Sequence, residues 1–448
     1  MKHMPRLVTT ATAAAVALVT ATTALTAALA APARGSGPVT TIKVGTEPSA
    51  VAVDEHTGTV WVINTYDKTV SEISEAKQAV VATIKVGGPP EEIAADPQTG
   101  TVWVTCLGSV SGGSYNFVNE ISEATRQVVA TIQVGNTPSG IAVDSRSGTV
   151  WVANTFSDTL SEISESGRDV IGTIKTDGSP AWIAIDQATG HVWVAMSAIK
   201  VDEISEATNT IIGHVTINLR PAAAALFTGI GFDPGMPAVW VASHWDSRDY
   251  FGNSWNYVSS INPSTRKVVA NVPVPKSGLF IDSSESIAVD PGTSTVWTAE
   301  NGFRSVTLIS ARRHAVARNV PAGPEPDAVA VDSRTKTAWV ADFHDYTVTE
   351  YRYTRPQFLS PSRVTFHAGR ATRFRVSTSG FPFAVMSLTG KLPPGLRAKI
   401  GHGTIVISGT PTQSARNHIY RISLTADNGI GTTKGQYTVT QHLVIKVT

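Results

Sequence analysis

Six side chains able to pass a proton or ligate a metal fall at matching points of this chain. His244, Asp246, Glu300, Asp342, His344 and Asp345 close or follow three short Trp-containing segments: VWVAS (239–243), VWTAE (296–300) and AWVAD (338–342). A histidine beside a carboxylate can act as a general acid or base, or take a divalent ion. His244, Glu300 and His344 are therefore the candidate catalytic residues. Scattered polar loop residues are the alternative, because no P-loop, HExxH, GxSxG or Cys/His zinc spacing occurs. No cofactor and no metal site is expected. The same stretches carry aromatics suited to sugar or peptide contacts. Tyr115, Phe117, Trp182, Trp245, Tyr250, Trp255, Phe303 and Phe343 form the candidate ligand-binding face, with Tyr66, Phe156 and Tyr346 beside them.

The elements that must hold these residues follow from a repeat. Trp61, Trp103, Trp151, Trp193, Trp240, Trp297 and Trp339 each occupy a V-W-V-like segment, and an Asp stands seven residues before every one, from Asp54 to Asp332. In the first copy, SAVAVD, TVWVI, TVSEIS and VVATIKV read as four short β-branched strands bounded by turn residues. Four strands per repeat of this length is the signature of a propeller blade. The Asp begins a turn whose backbone amides its carboxylate can accept. Gly58, Gly100, Gly148 and Gly190 supply a left-handed residue there. Pro237, Ser294 and Lys336 replace that glycine in the last three copies, so those turns are expected to differ. The tryptophans are expected to be core. Glu72, Glu120, Glu162 and Glu203 read as a solvated outer edge that resists strand pairing.

The seventh copy has no fourth strand, whereas VTTIKV (39–44) precedes the first copy unpaired. The N-terminal segment is therefore expected to complete the last blade. Every substantial insertion falls in loops of one face: 106–116, 219–227, 243–256 and 275–285. Loops on a rigid scaffold are where binding residues concentrate.

The repeat resembles the YVTN-type propeller family through VWVAN (150–154), TLSEIS (159–164) and VVATIQVGNTP (128–138), over residues 39–353. The resemblance implies a binding scaffold more often than an enzyme. VWTAEN (296–301) is faintly similar to the repeat of streptogramin lyases, which are magnesium-dependent propellers; a metal-dependent lyase or hydrolase is the alternative function. Residues 356–448 abandon the repeat. SGFPF (379–383), LTGKLPPGL (388–396), ISGTPT (407–412) and LTADNGIGT (424–432) resemble the putative-Ig family of bacterial surface proteins, which implies a spacer or adhesion module. The expected fold class is thus all-β: a seven-bladed β-propeller closed by its N-terminal strand, followed by an Ig-like β-sandwich.

Residues 1–30 have a short basic start, an uncharged stretch from Leu7 to Leu29 and a small-residue site, and read as a signal peptide. Cleavage is expected after Ala30 or Ala33; an uncleaved anchor is the alternative. The protein is expected to be secreted or at the cell surface. Cys106 is the single cysteine, so no internal disulfide exists. It reads as a small buried group, with a reactive thiol as the alternative. From Pro356 onward eleven Lys and Arg face one acid, Asp427, whereas the repeat region is acidic in balance. The tail could dock on the propeller or contact an anionic cell wall. It lacks the interleaved aromatics of a nucleic-acid platform. The partner is expected to be a protein, glycan or small molecule, and the protein a monomer.

Overall fold

The computed structural model describes residues 40–107, 116–197, 199–219, 225–246, 254–274, 284–300, 304–401, 403–430 and 437–448, without the side chains of 225, 245, 246, 254, 255, 284 and 285. It is all-β and propeller-like, built from repeated four-stranded antiparallel sheets. Seven such sheets follow one another: 48–85, 90–133, 138–175, 180–216, 225–274, 284–321, and 326–352 completed by Thr40–Lys43. The first strand of each lies beside the first strand of the next. That of the seventh sheet, Pro326–Asp332, lies beside that of the first, Pro48–Asp54, so the series closes on itself. Thr40–Lys43 pairs antiparallel with Thr347–Arg352, in the register Thr40 to Glu350 and Lys43 to Thr347.

Each first strand ends on the repeated aspartate. Asp54 Oδ1 accepts the His56 and Thr57 amides (2.6 and 3.2 Å), and Gly58 turns the chain at φ 69°. Loss of glycine changes this turn less than expected in the sixth and seventh sheets, whereas in the fifth Pro237 cannot take the left-handed conformation and the turn differs as expected. Ser294 (φ 49°) and Lys336 (φ 60°) take the left-handed conformation themselves. Their carbonyls accept Ala311 N (2.9 Å) and Tyr353 N (3.0 Å), as the Gly58 carbonyl accepts Glu75 N (3.1 Å). The tight hydrogen bond therefore outweighs the strain of a side chain at positive φ.

All seven repeat tryptophans are fully buried between sheets. Where a ring N–H is buried it needs an acceptor. Trp61, Trp103, Trp151 and Trp339 donate to Glu123, Glu165, Glu206 and Glu75 of the next sheet, at 2.8–3.0 Å. At the sixth-to-seventh joint Tyr353 occupies the corresponding position, and its hydroxyl donates to Asp290. Pro263 and Ala311 occupy it in the fifth and sixth sheets, and the ring nitrogens of Trp193 and Trp240 have no acceptor among the described residues.

The third-strand glutamates are not a solvated edge. Glu72, Glu120, Glu162 and Glu203 are buried. Arg126 donates two bonds to Glu72 (2.7 and 3.0 Å), and Arg168 donates two to Glu120 at the same distances. Asn209 donates to Glu162 (2.7 Å), Arg266 to Glu203, and Gln78 to Glu350 (2.9 Å). Every one of these pairs links a sheet to its successor. Two-pronged guanidinium bonds fix geometry as well as adding energy. At the fifth-to-sixth joint Ser260 replaces the glutamate and its hydroxyl is unpartnered among the described residues. That joint has neither polar clamp, and a stacked Trp240–His314 pair, 5.6 Å between centroids, stands in the gap.

The last eight strands form two four-stranded sheets, one of strands Thr354–Phe358, Thr372–Phe381, Thr404–Gly409 and Leu396–Gly401, the other of Arg363–Phe366, Thr438–Val447, Ile419–Asp427 and Val385–Thr389. Val376, Ile405, Ile407, Leu424, Leu443 and Ile445 pack between them. Tyr351, Tyr353, Phe381, Ile430 and Tyr437 join this module to the sixth and seventh sheets through one apolar cluster. Arg313 and Arg318 donate to the Gly429 and Phe383 carbonyls across the same boundary.

Candidate binding site

The second and third strands of most sheets span six residues. In the fifth, Ala238–Asp246 and Ser254–Asn262 span nine each. The inserted segment is thus partly an extension of the hairpin, paired out to Asp246 and Ser254. That extension sets His244 opposite Asn256. His244 is 5% exposed and its Nδ1 lies 2.8 Å from Asn256 Oδ1. The amide oxygen only accepts, so Nδ1 is the donor, and in the neutral ring Nε2 then holds the lone pair. Nε2 is buried with no partner among the described residues. Asn256 Nδ2 in turn approaches Glu300 Oε2 of the sixth sheet (3.5 Å), and Thr298 donates to Glu300 Oε1 (2.5 Å). Burial pushes the Glu300 carboxyl up to about 7, against the Thr298, Asn256 and Thr307 hydrogen bonds that favour its charged form. A histidine oriented by an amide, which in turn reaches a carboxyl raised toward neutrality, can accept a hydrogen bond from a ligand.

Comparison within the repeat separates what this site adds from what the fold requires. Glu300 stands at the end of the second strand, where Asn64 and Asn154 stand in the first and third sheets. Those asparagines hold the next strand, Asn64 through Thr69 (3.0 Å) and Ser71 (2.9 Å), Asn154 through Thr159 and Ser161. Asp342 does the same through Thr349 (3.0 Å), and burial raises its carboxyl to about 6. His244 lies one residue beyond that position, so no repeat contact demands it.

The other singled-out residues scatter. His344 is exposed, pairs with Glu325 (3.1 Å) and leans on Phe343; it does not join His244 and Glu300. Phe117 is not on an open face: it is buried under Gly87 and Gly88 in the joint of the first two sheets. Trp182 is partly buried and donates its ring N–H to the Phe227 carbonyl (3.1 Å). Tyr66 and Phe156 stand well clear of the surface, 72% and 74% exposed. Tyr115, Tyr250 and Phe303 lie outside the described residues, as do the side chains of Trp245, Trp255 and Asp246. Cys106 is fully buried and burial pushes its thiol up to about 12, which makes it unreactive near neutral pH. No group of three His, Cys, Asp or Glu among the described residues is arranged to hold a metal.

A second feature had no signal in the motifs. At the ring's axis a cavity of about 160 Å³ is lined by Val51, Ile141, Ile183, Ile230, Ile287 and Val329, with Glu92, Trp182, Thr228 and Ser286. All seven first strands contribute. Each carries an irregularity in register near this level, as between Pro90 and Ile93. At equivalent points stand Ala50, Glu92, Gly140, Trp182, Gly229, Ser286 and Ala328. Glu92 and Trp182 are thus the large side chains in a circle of small ones.

No protein-family model matches the sequence, and no curated protein does. Among solved structures, Kuenenia stuttgartiensis Hydrazine Synthase, a β-propeller-containing protein, resembles this chain with a TM-score of 0.61 at 18% identity, over 69% of this chain and 97% of that one. At that identity the likeness speaks for the fold alone. No helix among the described residues is long and apolar enough to cross a membrane.

Proposed function

We propose that this is an exported binding protein that recognises a protein, glycan or small ligand through the insertion-bearing loop face of its ring. On this reading residues 1–30 are a removed signal, 39–353 form a seven-bladed β-propeller of the YVTN-repeat type, and 356–448 form an Ig-like sandwich. The basic sandwich offers contact with an anionic cell-wall polymer. The observation that carries the reading is His244. Its imidazole is buried, oriented by Asn256 and left with an Nε2 that has no partner among the described residues, on the hairpin that outgrows the repeat. A buried polar atom without a partner costs about 1–3 kcal/mol, a cost a ligand can relieve. The metal-assisted lyase or hydrolase draws support from the neutral-range Glu300 carboxyl, which Asn256 links to the same histidine.

Glycan and peptide arrays, probed with the wild type and with His244→Ala, test the proposal. The expected result is binding that His244→Ala weakens. Silence on both arrays overturns it. Divalent-ion binding together with a turnover that His244→Ala abolishes would transfer the site to the enzymatic reading.

A further inference from the structure

We infer that the axial cavity is a binding site for a small primary ammonium compound. The site is separate from the loop-face site proposed above and does not depend on it. Among the described residues its lining has one carboxyl, Glu92, and no lysine or arginine. A carboxylate in such a wall favours a cation and repels an anion. Trp182 adds an aromatic ring to the same wall, and ring faces attract ammonium groups.

The independent sign of a missing ligand is Thr228. It is 8% exposed, lines the cavity, and its hydroxyl has no partner among the described residues. Thr228 is the extra residue where the fifth sheet's register shifts between Phe227 and Gly229, so the irregularity presents it at the axis. Buried hydroxyls are ordinarily satisfied. Glu92 lies on the second sheet and Thr228 on the fifth, across the ring, so a ligand whose ammonium group faces the Glu92 carboxyl extends toward Thr228 Oγ1.

Glu92 is held for this task. Its main-chain N–H donates to Thr105 Oγ1 (3.0 Å), and Thr105 donates to the Ser139 carbonyl of the third sheet (2.9 Å). Glu92 Oε1 accepts the Ile93 amide (3.1 Å). Size limits the ligand: cavities of roughly 150 Å³ hold one benzene-sized molecule. The small residues of the circle do not widen the cavity. A Cβ at Gly140 would meet the Ala181 carbonyl oxygen at 2.4 Å, and one at Gly229 would meet Ile287 Cγ2 at 2.9 Å. Those glycines let the first strands approach, and the ligand volume is what remains inside.

Calorimetric titration of the full chain with benzylamine, with benzyl alcohol as the neutral match, tests the inference. Benzylamine is expected to bind, with affinity at least about tenfold above that of the alcohol. Glu92→Gln should remove about tenfold or more of the amine affinity, Thr228→Val a smaller part, and His244→Ala none. Unchanged thermal midpoints and β-sheet dichroism would show that the variants fold. Equal affinity for amine and alcohol overturns the inference, as does wild-type affinity in Glu92→Gln or no amine binding by the wild type. Loss of array binding in His244→Ala with amine binding intact would show two sites. Loss of amine binding in both variants would show one, and would overturn the separate axial site.

Discussion

At the scale of single residues, the repeat acts as an internal control. Trp151 and Trp193 occupy the same position in successive sheets, yet Trp151 Nε1 donates to Glu206 (2.8 Å) and Trp193 Nε1 has no acceptor among the described residues. Phenylalanine removes the N–H in both. Trp151→Phe should therefore cost about 1–2 kcal/mol more than Trp193→Phe in urea unfolding. A similar argument applies to Glu92. Burial raises its carboxyl to about 7, with Glu91 adding to the rise and the Ile93 amide opposing it. The folded state favours the protonated acid, so its contribution is complete below the ordinary value of 4.5 and is lost as pH climbs through about 7. Glu92→Gln should leave stability unchanged at pH 4.5 and raise the thermal midpoint at pH 8, while weakening amine binding. The seven tryptophans were legible as core because identical spacing leaves little else for a large ring to do. The His244–Glu300 link was not legible, because it depends on how far a hairpin stays paired. His244 and His344 look alike in the sequence, and only the register separates the buried one from the exposed one.

Sheets meet through carboxyl groups set on both sides of the joint. Glu75, Glu123, Glu165 and Glu206 each accept a tryptophan N–H from the preceding sheet while lying near its repeated aspartate. Burial raises all four, first among the causes, and the facing aspartates raise them further; Glu123 and Glu206 reach about 7 and Glu165 about 8. Asp96, across from Glu165, is lowered against its burial by hydrogen bonds from Ser145, the Gln98 amide and Thr99, with the Glu165 carboxyl adding to them. Because the glutamates are raised, their stabilising contribution is present in acid and fades as pH rises through 7 to 8. The thermal midpoint should fall between pH 5 and pH 8.5, and Glu165→Gln should flatten that slope. A midpoint that rises over this interval would contradict the raised carboxyls at these joints. Sequence reasoning found the strands and the turn aspartates, since those are local. It misjudged Glu72, Glu120, Glu162 and Glu203 because their partners lie a whole repeat away, on the far side of a joint. The joint that lacks both clamps, between the fifth and sixth sheets, is the one the His244–Asn256–Glu300 chain crosses.

For the molecule as a whole, closure and docking are separate devices. The C-terminal sandwich rests on the sixth and seventh sheets through Tyr351, Tyr353 and Phe381, and so braces the end of the ring. The ring itself is closed by Thr40–Lys43 against Thr347–Arg352. Deleting residues 39–44 should expose the seventh sheet's edge, lower the thermal midpoint and open a protease site near 347–352; unchanged proteolysis would count against this role. Closure also has a consequence for the order of assembly. A chain emerging N-terminus first releases its closing strand long before the partner strand exists. In that interval the free strand resembles the outer strand of the first sheet: Val39–Val44 reads VTTIKV and Val81–Val86 reads VATIKV. Closure within one molecule competes with closure between two, and the balance is set by concentration. Crowded refolding should yield exchanged dimers, each ring completed by the other's first strand, whereas dilute refolding should yield monomers.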